Sequence, residues 1–236
     1  MTTRRALSCP LLAAIFALTT IATEAQSIFT GTRATARFEL STRWTARADA
    51  GVGYGYTAEP YNAIGGGLGA GFRLNRDATL AGYCSLAHAS YRDITNKELI
   101  LRLTESISWR RPSGFFFGFF FEQRRLIYHP SDYKINTSCF GGLVGYEHRW
   151  DRPGLMTRGF VTVVANTKSE NSSASFLQRV KGSLAIRKRI GSTVAVGADY
   201  TFAIGGPNQI YIADRDKLNV LNVAVDIFLP SSHGTQ

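Results

Sequence analysis

The stretch that decides the fold of this chain is Trp109–Arg124, with the sequence WRRPSGFFFGFFFEQR. Its Arg-Pro-Ser-Gly segment predicts a tight turn, because proline presets φ and glycine tolerates positive φ. The aromatic run behind the turn strongly prefers a β-strand. Since successive side chains alternate, one face of this strand carries Phe115, Phe117, Phe119 and Phe121, and the other turns ionic at Glu122 and Arg124. A soluble sheet would bury the apolar face under a second layer, whereas a strand in a bilayer would turn it to lipid and point the charges into a lumen.

The N-terminal segment, residues 1–25, has the pattern of an export signal. Two arginines precede an apolar stretch from Ala6 to Ile21, and Thr-Glu-Ala ending at Ala25 is a small-residue cleavage site. We therefore expect one mature domain, residues 26–236. Beyond the signal, no run of roughly 18 uninterrupted apolar residues remains, so any membrane insertion must be by strands.

Composition narrows the classes of partner and cofactor. The chain has 236 residues and a net charge of +10, but its basic residues are spread singly along predicted strands, so we expect no nucleic-acid partner. Cys84 and Cys139 are too few for a disulfide scaffold and are interpreted as small apolar strand residues. No spacing of His, Cys, Asp or Glu predicts a metal site, and no glycine loop predicts a phosphate site, so we expect no cofactor.

Turn signals recur along the whole chain, and short and long connections alternate. Short signals lie at residues 41–43, 75–77, 110–114, 151–154 and 188–192, and longer polar connections lie at 57–62, 92–96, 129–134, 168–174 and 206–216. A period of this kind suits hairpins of two membrane-crossing strands with short turns at one end and longer loops at the other.

This period predicts about ten antiparallel strands. They are residues 44–56, 64–74, 78–91, 97–109, 115–128, 135–150, 155–167, 175–188, 193–205 and 217–229. An even count would place both termini at the short-turn side. Residues 27–40 also alternate, since Arg33 and Arg37 interleave with alanines, and they either extend the first strand or pair as extra strands. Totals of eight and twelve stay open.

Aromatic residues cluster at both predicted ends of the strands, as membrane girdles do. The tryptophans lie beside short turns and several tyrosines lie beside the long loops. The girdle residues are Trp44, Trp109, Trp150, Tyr54, Tyr56, Tyr91 and Tyr128.

Signal, hairpin period, girdles and an apolar closing strand ending in Ile-Phe-Leu at Leu229 together resemble the small outer-membrane β-barrel proteins of Gram-negative bacteria. The resemblance covers the whole chain, although residues 230–236 follow where the usual pattern stops at phenylalanine. It implies an all-β, up-and-down transmembrane barrel in the bacterial outer membrane, in contact with outer-membrane lipid. It implies little about activity.

The strand face opposite the apolar one should line the lumen, and it is basic on balance. We predict Arg47, Asp49, Arg73, Arg102, Glu122, Arg124, Glu147, Arg149, Arg158, Arg179, Lys181, Arg187 and Asp199 as lumen-lining residues. Fixed charges in a constriction favour an anion channel, whereas cross-strand pairing would plug a barrel this narrow. The pairs Glu122–Arg124 and Glu147–Arg149 are the predicted bracing network.

Two further features suggest other chemistry. His88 and Ser90 share one strand face, and Glu98 or Glu105 follows on the next strand. The arrangement is similar to the His-x-Ser plus Glu set of outer-membrane lipid A deacylases, although the rest of that motif is missing. Glu105 falls on the lipid face, where it marks either a lateral contact with a partner or an adjacent chain or, as we expect, a β-bulge that shifts the phase.

These observations favour a non-enzymatic envelope protein, either a narrow anion-favouring channel or an accessory to export of a surface polymer. Anionic solutes or surface polysaccharide would then be its partners. A lipid-modifying enzyme and a soluble periplasmic ligand-binding barrel are the alternatives.

Overall fold

The computed structural model describes residues 27–56, 60–91, 97–129, 134–150, 154–169, 177–205 and 217–229. The predicted signal and most residues of the longer connections lie outside these ranges. No helix in the described part of the chain is long and apolar enough to span a membrane.

Eleven strands in the described part of the chain form one closed barrel. They are β1 (Ser27–Glu39), β2 (Trp44–Tyr56), β3 (Tyr61–Arg73), β4 (Ala78–Tyr91), β5 (Lys97–Arg110), β6 (Phe115–His129), β7 (Lys134–Arg149), β8 (Leu155–Ser169), β9 (Leu177–Ile190), β10 (Val194–Gly205) and β11 (Lys217–Leu229). Each strand pairs antiparallel with its neighbour in sequence, and β1 closes the barrel against β11 in parallel. The all-β, up-and-down barrel is therefore confirmed, and all ten predicted strands are present with small shifts at their ends.

The additional strand is β1, formed by the segment that the sequence left open. Its connection to β2 is as tight as the other short turns, because the Ser41 hydroxyl accepts hydrogen bonds from the backbone N–H groups of Arg43 (3.2 Å) and Trp44 (3.0 Å). The chain therefore reverses at once, and β1 lies beside β2 instead of extending it. The expectation of an even count is wrong, and because eleven strands close only through a parallel pair, the barrel begins and ends at opposite rims.

Short turns share one rim of the barrel, here called the short-turn end. Gly114, Gly154 and Gly191 adopt φ angles of 95°, 75° and 67° in three of these turns, a region that favours glycine. In another, the Asn75 Oδ1 atom accepts backbone hydrogen bonds from Asp77 (2.9 Å) and Ala78 (2.8 Å). The opposite rim is called the long-loop end.

The two faces of the barrel wall follow the alternation predicted for Trp109–Arg124. Phe119 is 47% exposed on the outer face, whereas Phe116 and Glu122 on the inner face are 3% and 8% exposed. The same division holds around the barrel, so bulky apolar side chains cover the outer face and most charged side chains of the strands point inward.

Candidate functional site

The predicted lumen-lining residues lie on the inner face. Ion pairs between strands that are not neighbours mark this concave side: Arg33 on β1 reaches Asp199 on β10 at 2.7 Å, and Arg110 on β5 reaches Glu147 on β7 at 2.9 Å. The register places the whole predicted set on this face: Arg47, Asp49, Arg73, Arg102, Glu122, Arg124, Glu147, Arg149, Arg158, Arg179, Lys181, Arg187 and Asp199.

One ionic cluster spans the parallel seam between β1 and β11. The Arg187 guanidinium lies between Asp199 (2.6 Å) and Asp226 (2.7 Å), while Arg33 pairs with Asp199 and Arg37 lies 3.8 Å from Asp226. Arg187 and Asp226 are 6% and 5% exposed. The cluster ties β1 to β9, β10 and β11, which strengthens the joint where the barrel closes.

A second cluster surrounds Glu122. This carboxylate pairs with Arg124 on its own strand and lies 3.5 Å from Arg102 on β5. Glu147 does not join it, because the register sets Cys139 opposite Glu122 and places Glu147 nearer the short-turn end. Both predicted pairs are present, since Arg149 lies 3.7 Å from Glu147, but they belong to separate clusters and do not form one network.

Inward-pointing arginines on different strands differ in exposure. Arg33 and Arg102 lie near the middle of their strands, yet their side chains are 39% and 32% exposed. The Arg124 and Arg187 side chains, also inward-pointing, are 6% and 7% exposed. Of these four arginines, the exposed ones therefore lie on β1 and β5, and the buried ones lie on β6 and β9.

Side-chain size explains this asymmetry. We call β2–β4 the glycine wall, because small residues line most of its inner face: Gly51, Gly53, Gly55, Ala63, Gly65, Gly67, Gly69, Gly71, Ala81, Ser85, Ala87 and Ala89. Tyr83 lies across this wall and donates a 2.6 Å hydrogen bond to Asp49. A Cβ atom at Gly67 would overlap the Tyr83 hydroxyl, so glycine is required under this ring.

The strands β6–β8 form what we call the aromatic wall, which carries large side chains on both faces. Phe116 and Phe160 point inward with ring centroids 6.4 Å apart, and the Arg158 guanidinium lies 4.3 Å from the Phe116 ring centroid. Phe119 and Phe140 stack on the outer face.

Two apolar clusters lie in the interior toward the long-loop end. Tyr61 and Ala89 form a buried cluster with Phe29, Ala63 and Tyr91, and a second buried cluster joins Leu126 and Ile135 to Ile100 and Tyr128. Two girdle predictions are corrected here, because Tyr91 and Tyr128 occupy inward register positions. Nearness to a loop indicates the depth of a side chain and does not indicate its face.

The other girdle residues lie on the outer face. Trp44 and Trp150 are 48% and 45% exposed, and Trp109 stacks on Phe117 with ring centroids 5.1 Å apart. At the long-loop end, Tyr54 and Tyr56 meet edge to face at 4.7 Å. They form aromatic belts at two depths.

His88 and Ser90 also lie on the outer face, with 2.9 Å between His88 Nε2 and Ser90 Oγ. Glu98 does not complete a triad with them. It pairs in the register with Ala89, points inward and accepts a 2.9 Å hydrogen bond from the Tyr91 hydroxyl. The barrel wall therefore separates the carboxylate from the histidine.

Glu105 lies on the outer face, exposed, between Gly82 and Phe121. The expected bulge is wrong, because β5 keeps an unbroken register with both neighbours. Register shifts occur instead at Ser138/Cys139 and Val164/Ala165.

Sequence reasoning missed four inner-face arginines: Arg33, Arg37, Arg110 and Arg189. Arg33 and Arg37 lie in the segment whose strand assignment was left open, and Arg110 and Arg189 lie inside predicted turn signals. Arg37, Arg110 and Arg189 join Arg149 and Arg158 at the short-turn end, where Arg37 and Arg189 also lie over the Phe228 ring. Among the described residues no group of His, Cys, Asp and Glu could hold a metal ion. Cys84 is exposed and Cys139 is buried.

No protein-family model and no curated protein sequence matches the chain. Among solved structures, the fold is similar to the translocator domain of the autotransporter NalP from Neisseria meningitidis, with a TM-score of 0.54 and 11% identity, over 86% of this chain and 94% of that one. The NanC porin gives a TM-score of 0.47 and 11% identity, over 82% of this chain and 93% of that one. At this identity the likeness to the translocator domain shows the fold alone, which is that of the small outer-membrane β-barrels.

Proposed function

We propose that this protein is a non-enzymatic outer-membrane barrel that conducts small anions through a narrow passage along the glycine wall. The observation that supports the proposal most directly is the exposure of Arg33 and Arg102, about a third of each side chain, at mid-height inside the barrel. An arginine there is accessible only if water fills the space beside it.

Charge would make such a passage favour anions. Arg33, Arg47 and Arg102 face the accessible space, while Asp49 and Asp199 show only 10% and 14% of their side chains. Positive side chains at a constriction attract anions and repel cations, and low-dielectric walls strengthen the effect. The arginines at the short-turn end would concentrate anions at that mouth.

The narrowest part of the proposed passage lies at the long-loop end. Phe29 and Tyr61 pack there with ring centroids 6.0 Å apart, and Tyr61 is 6% exposed. Solutes larger than small ions would need these rings to move. The proposal therefore predicts a low conductance compared with wide porins.

Purified protein in planar bilayers under a KCl gradient tests the proposal. We expect small unitary steps and a reversal potential shifted toward chloride. Arg102→Gln should reduce the shift, whereas the matched control Arg125→Gln, on the outer face of β6, should leave it unchanged. Absence of unitary steps, or a preference for potassium, would overturn the proposal.

A second candidate is lipid hydrolysis at His88 and Ser90, favoured by their 2.9 Å contact. A histidine in this position activates a serine hydroxyl, but here the wall separates Glu98 from it, so a different group would have to orient the ring. Expression followed by mass spectrometry of lipid A tests this candidate. A shortened acyl pattern that disappears in Ser90→Ala would establish it, and an unchanged spectrum would remove it.

The export-accessory hypothesis draws on the same arginines, provided that the exported polymer is acidic. Release of surface polysaccharide should then fall in a deletion strain and recover with the wild-type gene but not with Arg102→Gln.

The soluble alternative predicts that the protein is found in the periplasmic fraction. We expect membrane recovery instead, because outer-face residues such as Leu68 (69% exposed) and Ile64 (59%) need lipid around them.

A further inference from the structure

Three arginines surround one carboxylate on the inner face at the short-turn end, and we call Arg110, Glu147, Arg149 and Arg158 the Glu147 cluster. Arg110 Nη1 lies 2.9 Å from Glu147 Oε1, and Arg149 Nε lies 3.7 Å from the same oxygen. The register sets Arg158 directly opposite Glu147 on the neighbouring strand. Strands β5, β7 and β8 therefore each bring an arginine to one place.

The Glu147 cluster has more positive charge than its carboxylate can neutralise. In the described part of the chain, Arg110 and Arg149 share Glu147 as their ion-pair partner. Arg158 lies 4.3 Å from the centroid of the Phe116 ring, and its buried Nε atom has no hydrogen-bond partner among the described residues. Three guanidinium groups against one carboxylate leave two positive charges in excess.

The positive groups of this cluster face the water, and the negative group does not. The side chains of Arg110 and Arg149 are 49% and 80% exposed, whereas that of Glu147 is 8% exposed. An anion that enters from the short-turn end would therefore meet guanidinium groups before it meets the carboxylate. Phe116 is 3% exposed beneath Arg110 and Arg158, and such an apolar floor weakens dielectric screening and strengthens the attraction.

We infer that the Glu147 cluster binds one doubly charged tetrahedral oxyanion, either inorganic phosphate or the phosphate monoester of a small solute. The N–H donors of a guanidinium form a planar fork that fits two oxygens of a phosphate. A divalent anion matches the two excess charges, whereas chloride would neutralise one of them and offers no paired oxygens. A buried polar atom without a partner, as Arg158 Nε is, marks a place where an ion or water fits. The inference rests on the proposed anion passage, because it names the class of anion that this end of the passage would select.

Equilibrium dialysis of the full barrel in detergent against radiolabelled inorganic phosphate, at about pH 8 where phosphate is doubly charged, tests this inference. We expect one saturable site per barrel that a large excess of chloride does not empty. Arg158→Gln should lower the affinity about ten-fold, because it removes a charge-assisted donor. Glu147→Gln should raise the affinity, because the carboxylate no longer competes with the anion for Arg110 and Arg149. Competition with glycerol phosphate distinguishes the two sources: tighter binding than inorganic phosphate assigns the site to a monoester, and weaker binding assigns it to the free anion.

The matched control is Arg125→Gln, which makes the same change at an exposed position on the outer face of β6. It should keep the affinity of the wild type. Folding of each variant is checked by heat-modifiable migration on gels. Absence of saturable binding, equal losses in Arg158→Gln and Arg125→Gln, displacement of phosphate by equimolar chloride, or weaker binding in Glu147→Gln would overturn the inference. Because dialysis measures binding at equilibrium, a barrel that binds phosphate but shows no unitary steps would refute conduction and leave this site standing.

Discussion

The glycine wall, β2–β4, and the aromatic wall, β6–β8, have similar strand lengths and the same antiparallel pairing. They differ in how much of the surface beside them is accessible. Ser85 on the inner face of the first is half-buried, whereas Ser183, inward on β9 beside the second, is 9% exposed. On the outer face the first wall carries a groove lined by alanines. Backbone pairing therefore closes the barrel, and side-chain size decides where solvent or lipid can enter.

Removing an ion-paired carboxylate should lower the free energy of unfolding more at the aromatic wall than at the glycine wall, and this is the largest expected effect. Glu122→Gln removes the carboxylate that pairs with the buried Arg124, which should cost about 3–5 kcal/mol. Asp49→Asn on the glycine wall should cost about 1 kcal/mol or less, because Arg47 is 44% exposed and stays hydrated. Urea unfolding in phospholipid vesicles, followed by tryptophan fluorescence, measures both. Equal losses would contradict the distinction.

Packing inside and outside the barrel should also differ. Leu126 is 1% exposed in the interior cluster, so Leu126→Ala should destabilise by about 2–4 kcal/mol through the cavity it leaves. Leu101→Ala on the outer face should cost about 1 kcal/mol or less, since lipid fills the gap. The same unfolding assay compares the two variants. A larger loss of unfolding free energy in Leu101→Ala would show that the well-packed side chains lie on the outer face, which contradicts the account.

Truncation of Tyr61 should change the unitary conductance more than truncation of Tyr128. Tyr61→Ala removes a ring from the cluster that narrows the proposed passage, so the unitary conductance should rise. Tyr128→Ala removes a ring from the cluster beside the aromatic wall and should change conductance less. Planar-bilayer recordings measure both conductances. A greater rise in conductance in Tyr128→Ala would indicate that the passage lies along the aromatic wall.

The smallest expected effect concerns Glu105, an exposed carboxylate near mid-depth on the outer face. A charge there is unfavourable in hydrocarbon, although less so for glutamate than for arginine or lysine. Glu105→Leu should therefore stabilise the barrel by about 1 kcal/mol in vesicles. A loss of stability would instead indicate that Glu105 makes a contact with another molecule in the membrane.

Alternation in the sequence was sufficient to predict the strands and most faces, because period two is imposed by the backbone itself. Phe115–Arg124 shows this, since every residue lies on the face expected. The number of strands was harder to predict. Nothing in the sequence indicates which strand pairs with β1, and its parallel pairing with β11 forms only when the complete barrel closes. Tyr91 and Tyr128 show a further limit: nearness to a loop predicts depth, whereas the face follows from alternation counted along the strand, which places Tyr128 with Glu122 and Arg124.

Accessibility of single cysteines to charged thiol reagents tests the central claim most directly. In a background of Cys84→Ser and Cys139→Ser, Ser85→Cys places a thiol beside the proposed passage and Ser183→Cys places one in the packed half. We predict that an anionic methanethiosulfonate modifies the first thiol rapidly, faster than a cationic reagent does, and leaves the second unmodified. Equal modification of both positions, or faster reaction with the cationic reagent at residue 85, would contradict an anion-favouring passage along the glycine wall.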